Sequence, residues 1–262
     1  MIRKRLPRRL GHGEEATLVE HLGELRTRLV ISLFALVPAF AVSFAFHERL
    51  IDWLTRPLPD DKHLVTLGVT EPFTTAIKVS LAAAVAITLP ILLYQLWSFL
   101  APAIEEHTQR VVSSFVVLAT VLFAGGVAFS YVVVLPRALG FLTNFGAEFF
   151  EIDIRASYYF SFVTVTLLAS GLAFQMPIFI LALVRLRVLT AAKLRSNRRL
   201  GYVIMIVFAI LLPTVDPVSL ALEVAPLLLL FEGSIWLSTF MEKRWALDPA
   251  SEGFSGIFPG RE

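Results

Sequence analysis

LLPTVDPVS, residues 211–219, breaks an apolar stretch that otherwise runs from residue 200 to residue 240. Proline lacks a backbone donor and clashes with the preceding turn of a helix, so Pro213 and Pro217 mark a turn at 214–216. Two spans follow, about 200–213 and 217–240. The first is short: residues 200–215 are uncharged but, at about 1.5 Å per residue, reach only about 24 Å against the roughly 30 Å of bilayer hydrocarbon. The bilayer beside both spans is therefore expected to thin.

Outward from this turn lie four longer uncharged stretches, 29–46, 79–104, 111–136 and 156–184, each long enough to cross a bilayer as a helix. The expected fold class is an all-α integral membrane protein of six transmembrane helices. Composition agrees, since 56 % of the 262 residues are hydrophobic and only 17 % charged, with a mean hydropathy of +0.74. The expected organisation is an N-terminal segment with an amphipathic helix over 1–28 and a membrane domain over 29–240. A tail rich in Gly, Pro and Ser follows over 241–262 and is predicted to be disordered. The connections at about 47–71 and 137–155 mix aromatic and charged residues and are expected to lie at the membrane interface.

Basic residues gather before the first span (Arg3, Lys4, Arg5, Arg8, Arg9, Arg26, Arg28), between the fourth and fifth (Arg185, Arg187, Lys193, Arg195, Arg198, Arg199) and in the tail. The opposite side has only Arg49, Arg56, Lys62, Arg137 and Arg155. Cytoplasmic flanks collect Lys and Arg, so both termini are expected in the cytoplasm. A net charge of +2 gives no reason to invoke nucleic acid. The absence of Cys excludes disulfides and thiolate chemistry. All five His lie outside the spans and no G-x-S-x-G, H-E-x-x-H or P-loop pattern occurs, so no enzyme, metal or cofactor is expected.

The remaining polar residues form three groups. In VEHLGELRTRL, residues 19–29, Thr17 and Glu20 fit a capping box, and Leu18, Leu22, Leu25 and Leu29 make an apolar stripe. His21, Glu24 and Arg28 share another face, which reads either as a recognition surface or as a solvated one with a Glu24–Arg28 pair worth roughly 0.2–0.5 kcal/mol. After the second span, Glu105 and Glu106 are acidic where positive charge is expected. Carboxylates accept bidentate bonds from guanidinium groups, so this loop is either a cation-recognition surface or a plain solvated loop. Inside the spans stand Gln175, Glu223 and Glu232. Embedded polar groups are costly and default to function, although either Glu also fits an interfacial position. Glu223 and Glu232 point about 180° apart on an ideal helix, so they cannot form one site. Gln175 needs a partner, either Ser or Thr on a neighbouring span or another protein's helix. Embedded polar groups and Pro-interrupted spans also suit a secondary transporter, and a non-catalytic scaffold is a third reading.

HLGELRTRL, YQLWSFLAP, FSYVVVLP, SGLAFQMP, LRSNRRLGY and LPTVDPVSL followed by LLLLFE, in order over residues 18–240, resemble the TatC family, the polytopic component of the twin-arginine protein translocase. The resemblance implies an inner-membrane receptor without cofactor, whose cytoplasmic face binds the paired arginines of signal peptides on folded cargo. It implies TatA- and TatB-type single-span partners, further copies of the chain in a multimeric complex, and transport energised by the proton-motive force. Position by position, Glu24 falls on the family's signal-binding glutamate, with His21, Leu25 and Arg26 also matched. The family's second acidic position falls on Thr108, with Glu105 and Glu106 within one helical turn to stand in for it. Gln175 occupies an embedded position that is often Glu. Asp216 and Ser219 match the family's turn, and Leu211, Leu212 and Glu232 belong to the short fifth and sixth spans expected to dock a partner helix.

Overall fold

The computed structural model describes residues 18–100, 108–150, 152–185, 188–213 and 216–246, without the side chains of 18–21, 100, 108–113 and 243–246. Among the described residues the regular structure is helical apart from two short strands. Helix α1 (Leu18–Ala45) bends into α2 (His47–Thr55), and strand β1 (Leu64–Val65) leads to α3 (Glu71–Leu100). Helix α4 (Thr108–Phe129) runs through one π-helical turn, Ser130–Val134, into α5 (Leu135–Asn144). Then come β2 (Ile154–Arg155), α6 (Ala156–Ala173), α7 (Met176–Arg185), α8 (Ala191–Ser196), α9 (Arg198–Ile210) and α10 (Pro217–Ala246).

Among the described residues, five helical stretches are long and apolar enough to cross a bilayer: Leu22–Ala45, Glu71–Phe99, Ser114–Asn144, Ala156–Arg185 and Pro217–Glu242. Helices suit that solvent because they satisfy every backbone polar group internally. The opening stretch does divide its apolar run, since α9 ends at Ile210 and α10 begins at Pro217. Asp216 caps the new helix, its Oδ1 accepting from the Ser219 amide at 2.8 Å, while Pro217 takes the first helical position, where no amide donor is needed. With 13 residues, α9 is about 20 Å long, which falls short of a full crossing.

Two expectations need correction. The stretch 156–184 is not one continuous helix, because α6 and α7 are separated at Phe174 and Gln175. Pro177 cannot donate to the Ala173 carbonyl and disfavours helical geometry at Met176, so the chain tightens into three-residue turns, Gln175 N to Leu172 O at 3.0 Å and Ile178 N to Gln175 O at 2.9 Å. The third span does not stop at Pro136, because the π turn admits the proline near the start of α5 and the helix continues to Asn144. The two connections expected at the interface pair with each other, Leu64 opposite Ile154 and Val65 opposite Arg155 in a parallel ladder.

Glu71 locks this sheet end of the bundle. Its carboxylate accepts from the amides of Leu67 at 3.0 Å, Gly68 at 3.3 Å and Ser157 at 3.0 Å, and from Arg155 Nε at 3.1 Å. A first apolar cluster, including Leu54, Val79, Leu135 and Phe160, joins α2, α3, α5 and α6 beneath it. At the opposite end Leu93, Trp97, Phe115 and Leu181 join α3, α4 and α7. Glycine permits the closest crossings: a Cβ on Gly171 of α6 would sit 2.5 Å from the Phe123 ring of α4, and one on Gly201 of α9 only 2.1 Å from the Phe231 ring of α10.

Candidate functional site

Glu24 and Arg28 stand one turn apart on α1, so their side chains share a face. Arg28 Nε donates to Glu24 Oε1 at 3.1 Å, and Nη2 donates to the same oxygen. The guanidinium also crosses to the last turn of α3, where Nη2 donates to the Ser98 carbonyl at 2.9 Å and Nη1 to Gln95 Oε1 at 3.4 Å. Carbonyls in a final turn lack helical donors and carry the negative end of the helix dipole, so a cation is favoured there. The pair expected from sequence is therefore also a junction between two helices. Glu24 keeps 33 % of its side-chain surface exposed and Arg28 20 %.

The other expected residues are not all gathered at this junction. Leu25 and Arg26 are exposed on the far side of α1, where they line a shallow apolar surface of about 300 Å³ with Leu22, Leu29, Val30 and Leu33. His21 and Thr108 fall on the backbones of α1 and α4, but their side chains lie outside the described set. Glu105 and Glu106 lie outside the described residues altogether. Sequence reading missed Gln95 and Ser98, whose part depends on α1 running antiparallel to α3. No local spacing encodes that placement.

The embedded polar groups are tied within the chain. Gln175 is buried, and its Nε2 donates to the Ala119 carbonyl of α4 at 2.9 Å. The expected Ser or Thr partner is thus replaced by a backbone acceptor, while Gln175 Oε1 has no hydrogen-bond partner among the described residues. Glu223 is only 2 % exposed, and Ser170 Oγ of α6 donates to it at 3.1 Å. Glu232 accepts from the Tyr202 hydroxyl and pairs with Arg198 Nη2 at 3.3 Å, tying α10 to α9. Leu211 is 76 % exposed, whereas Leu212, expected beside it on a partner-facing surface, is 8 % exposed and packs with Ala173, Ala209 and Leu227. Ser219 is buried and Asp216 is engaged as the α10 cap. No cluster of three His, Cys, Asp or Glu able to hold a metal occurs among the described residues.

The family described as Sec-independent protein translocase protein (TatC) matches residues 20–226. The Sec-independent protein translocase protein TatCd of Bacillus subtilis (strain 168) is 36 % identical over 231 residues, covering 88 % of this chain and 95 % of its own. The TatC protein of Frankia casuarinae is 36 % identical over 245 residues, covering 87 % of this chain and 67 % of its own. A crystal structure of a twin arginine translocase receptor, TatC, in DDM superposes with a TM-score of 0.73 at 36 % identity, over 84 % of this chain and 99 % of that one.

Proposed function

The chain belongs to the TatC family of Sec-independent protein translocase proteins, and from that premise we propose that it is the subunit that receives twin-arginine signal peptides. It is a multi-pass membrane component of a bacterial protein translocase and, as a translocase subunit, acts in a complex with other Tat components. In this reading it lies in the inner membrane with six spans, the short α9 being the fifth, and with both termini in the cytoplasm. Residues 1–28 and 241–262 flank the membrane domain on that side. Glu24 accepts a guanidinium of the signal peptide beside His21, Glu105, Glu106 and Thr108, while Leu25 and Arg26 meet the peptide from the other side of α1. TatA- and TatB-type single-span helices dock beside α9 and α10, further copies of the chain join the complex, and the proton-motive force drives export of folded cargo.

The observation that carries this reading is a partly open carboxylate already holding a guanidinium beside the negative end of α3. Charge-assisted hydrogen bonds are worth roughly 1.5–3 kcal/mol, so losing one weakens binding about ten-fold or more. The test is binding of a synthetic twin-arginine peptide and its twin-lysine variant to the detergent-purified protein, with and without Glu24→Ala. The arginine peptide is expected to bind about ten-fold tighter and Glu24→Ala to erase the difference. Equal binding of the two peptides by the wild type overturns the reading.

A further inference from the structure

Arg28 has no part in the recognition just described, yet it is the residue that holds the recognising group. Both of its donors to Glu24 land on one oxygen, Oε1. The rest of its fork is anchored on α3 through Ser98 and Gln95. Among the residues whose side chains are described, none donates to Oε2, and a third of the Glu24 side chain is exposed. We propose that Arg28 is a positioning residue for signal-arginine recognition: by pinning Oε1 from an anchor on the neighbouring helix, it presents Oε2 as the acceptor for an incoming guanidinium. This deepens the reading of Glu24 as the signal acceptor and rests on it.

A glutamate on an exposed helix face samples several rotamers, and a ligand that binds it must first select one of them. Arg28 makes that selection in advance, so less ordering remains to be done when the peptide arrives. Arg28 does not silence the carboxylate, because it shares its donors with the Ser98 carbonyl and the Gln95 amide oxygen. The second carboxylate oxygen stays open to charge-assisted bonds. The role requires arginine, since a planar fork with donors on several edges reaches acceptors on both helices, whereas the single ammonium of lysine does not. A carboxylate oxygen held in a defined plane also favours a planar guanidinium over the compact ammonium of a lysine, which makes Arg28 a determinant of selectivity as well as affinity.

The test measures dissociation constants of twin-arginine and twin-lysine signal peptides for the full chain in detergent. The proteins are wild type, Glu24→Gln, Arg28→Gln, Arg28→Lys, the Glu24→Gln/Arg28→Gln pair, and Phe44→Ala. Phe44 meets Phe73 of α3 edge-on at 6.4 Å, so Phe44→Ala loosens the α1–α3 contact at the far end and controls for a merely structural effect. Arg28→Gln is expected to weaken the arginine peptide about ten-fold and leave the lysine peptide nearly unchanged. Arg28→Lys is expected to shrink the arginine preference as well, and carries the test where Arg28→Gln does not fold. The double variant is expected to bind no worse than Glu24→Gln, because both changes act through one carboxylate, and Phe44→Ala is expected to lower the melting temperature while keeping the arginine preference. An unchanged preference in Arg28→Gln, tighter binding in Arg28→Gln, or an equal loss of preference in Phe44→Ala overturns the inference and leaves Glu24 standing. If Glu24→Gln itself leaves the preference intact, the receptor reading of that residue falls too.

Discussion

The Glu71 carboxylate collects three backbone amides and the Arg155 guanidinium, so one side chain at the start of α3 organises both connections at the sheet end. Removing it takes the acceptor from all four donors at once, and hydrogen bonds to a charged group are worth roughly 1.5–3 kcal/mol each. Glu71→Ala is expected to lower the melting temperature in detergent by roughly 5 °C or more, read by thermal unfolding followed with size-exclusion chromatography. Arg155→Ala should do less, because the three amides keep their acceptor. A smaller shift for Glu71→Ala than for Arg155→Ala would show that the ion pair, not the amide clamp, holds this end. In sequence, Glu71 is one acid among several in a polar connection, since its donors lie both beside it and 86 residues away.

At the scale of the element, the short α9 depends on α10 for its place. Gly201 lets the Phe231 ring lie against the α9 backbone, in a cluster with Ile180, Met205 and Ile235. Gly201→Ala forces that ring to move, an overpacking cost of about 1–3 kcal/mol. Phe231→Leu in the same chain should restore most of the lost stability, and thermal unfolding of the single and double variants measures the rescue. The far end of α9 carries a second expectation. Leu211 is exposed and Leu212 is packed on α10, so a cysteine at 211 should crosslink to a single-span partner in membranes and a cysteine at 212 should not. Equal crosslinking from both positions would mean that this turn rearranges in the assembled complex.

At the scale of the whole molecule, α1 leans on α3 and little else, with only 6 % of its span buried, so lipid or neighbouring subunits must cover the remainder. Orientation is testable at the two ends of the bundle. Val69, fully exposed beside the sheet, should as Val69→Cys react with an impermeant maleimide in intact spheroplasts, whereas Ala192→Cys on α8 should react only after permeabilisation. The reverse pattern would invert the assigned topology. Sequence alone determined the all-helical membrane class, the division of the last apolar run at Pro213–Pro217 and the Glu24–Arg28 pair, because hydropathy, proline sterics and one-turn spacing are local properties of the chain. Only the tertiary structure decided that Gln175 bonds a backbone carbonyl, that Glu223 is buried against Ser170, that Leu212 faces inward and that Arg28 rests on Gln95 and Ser98. Each of those contacts joins different elements of the chain, and side-chain periodicity shows which face a residue occupies but not which helix meets that face.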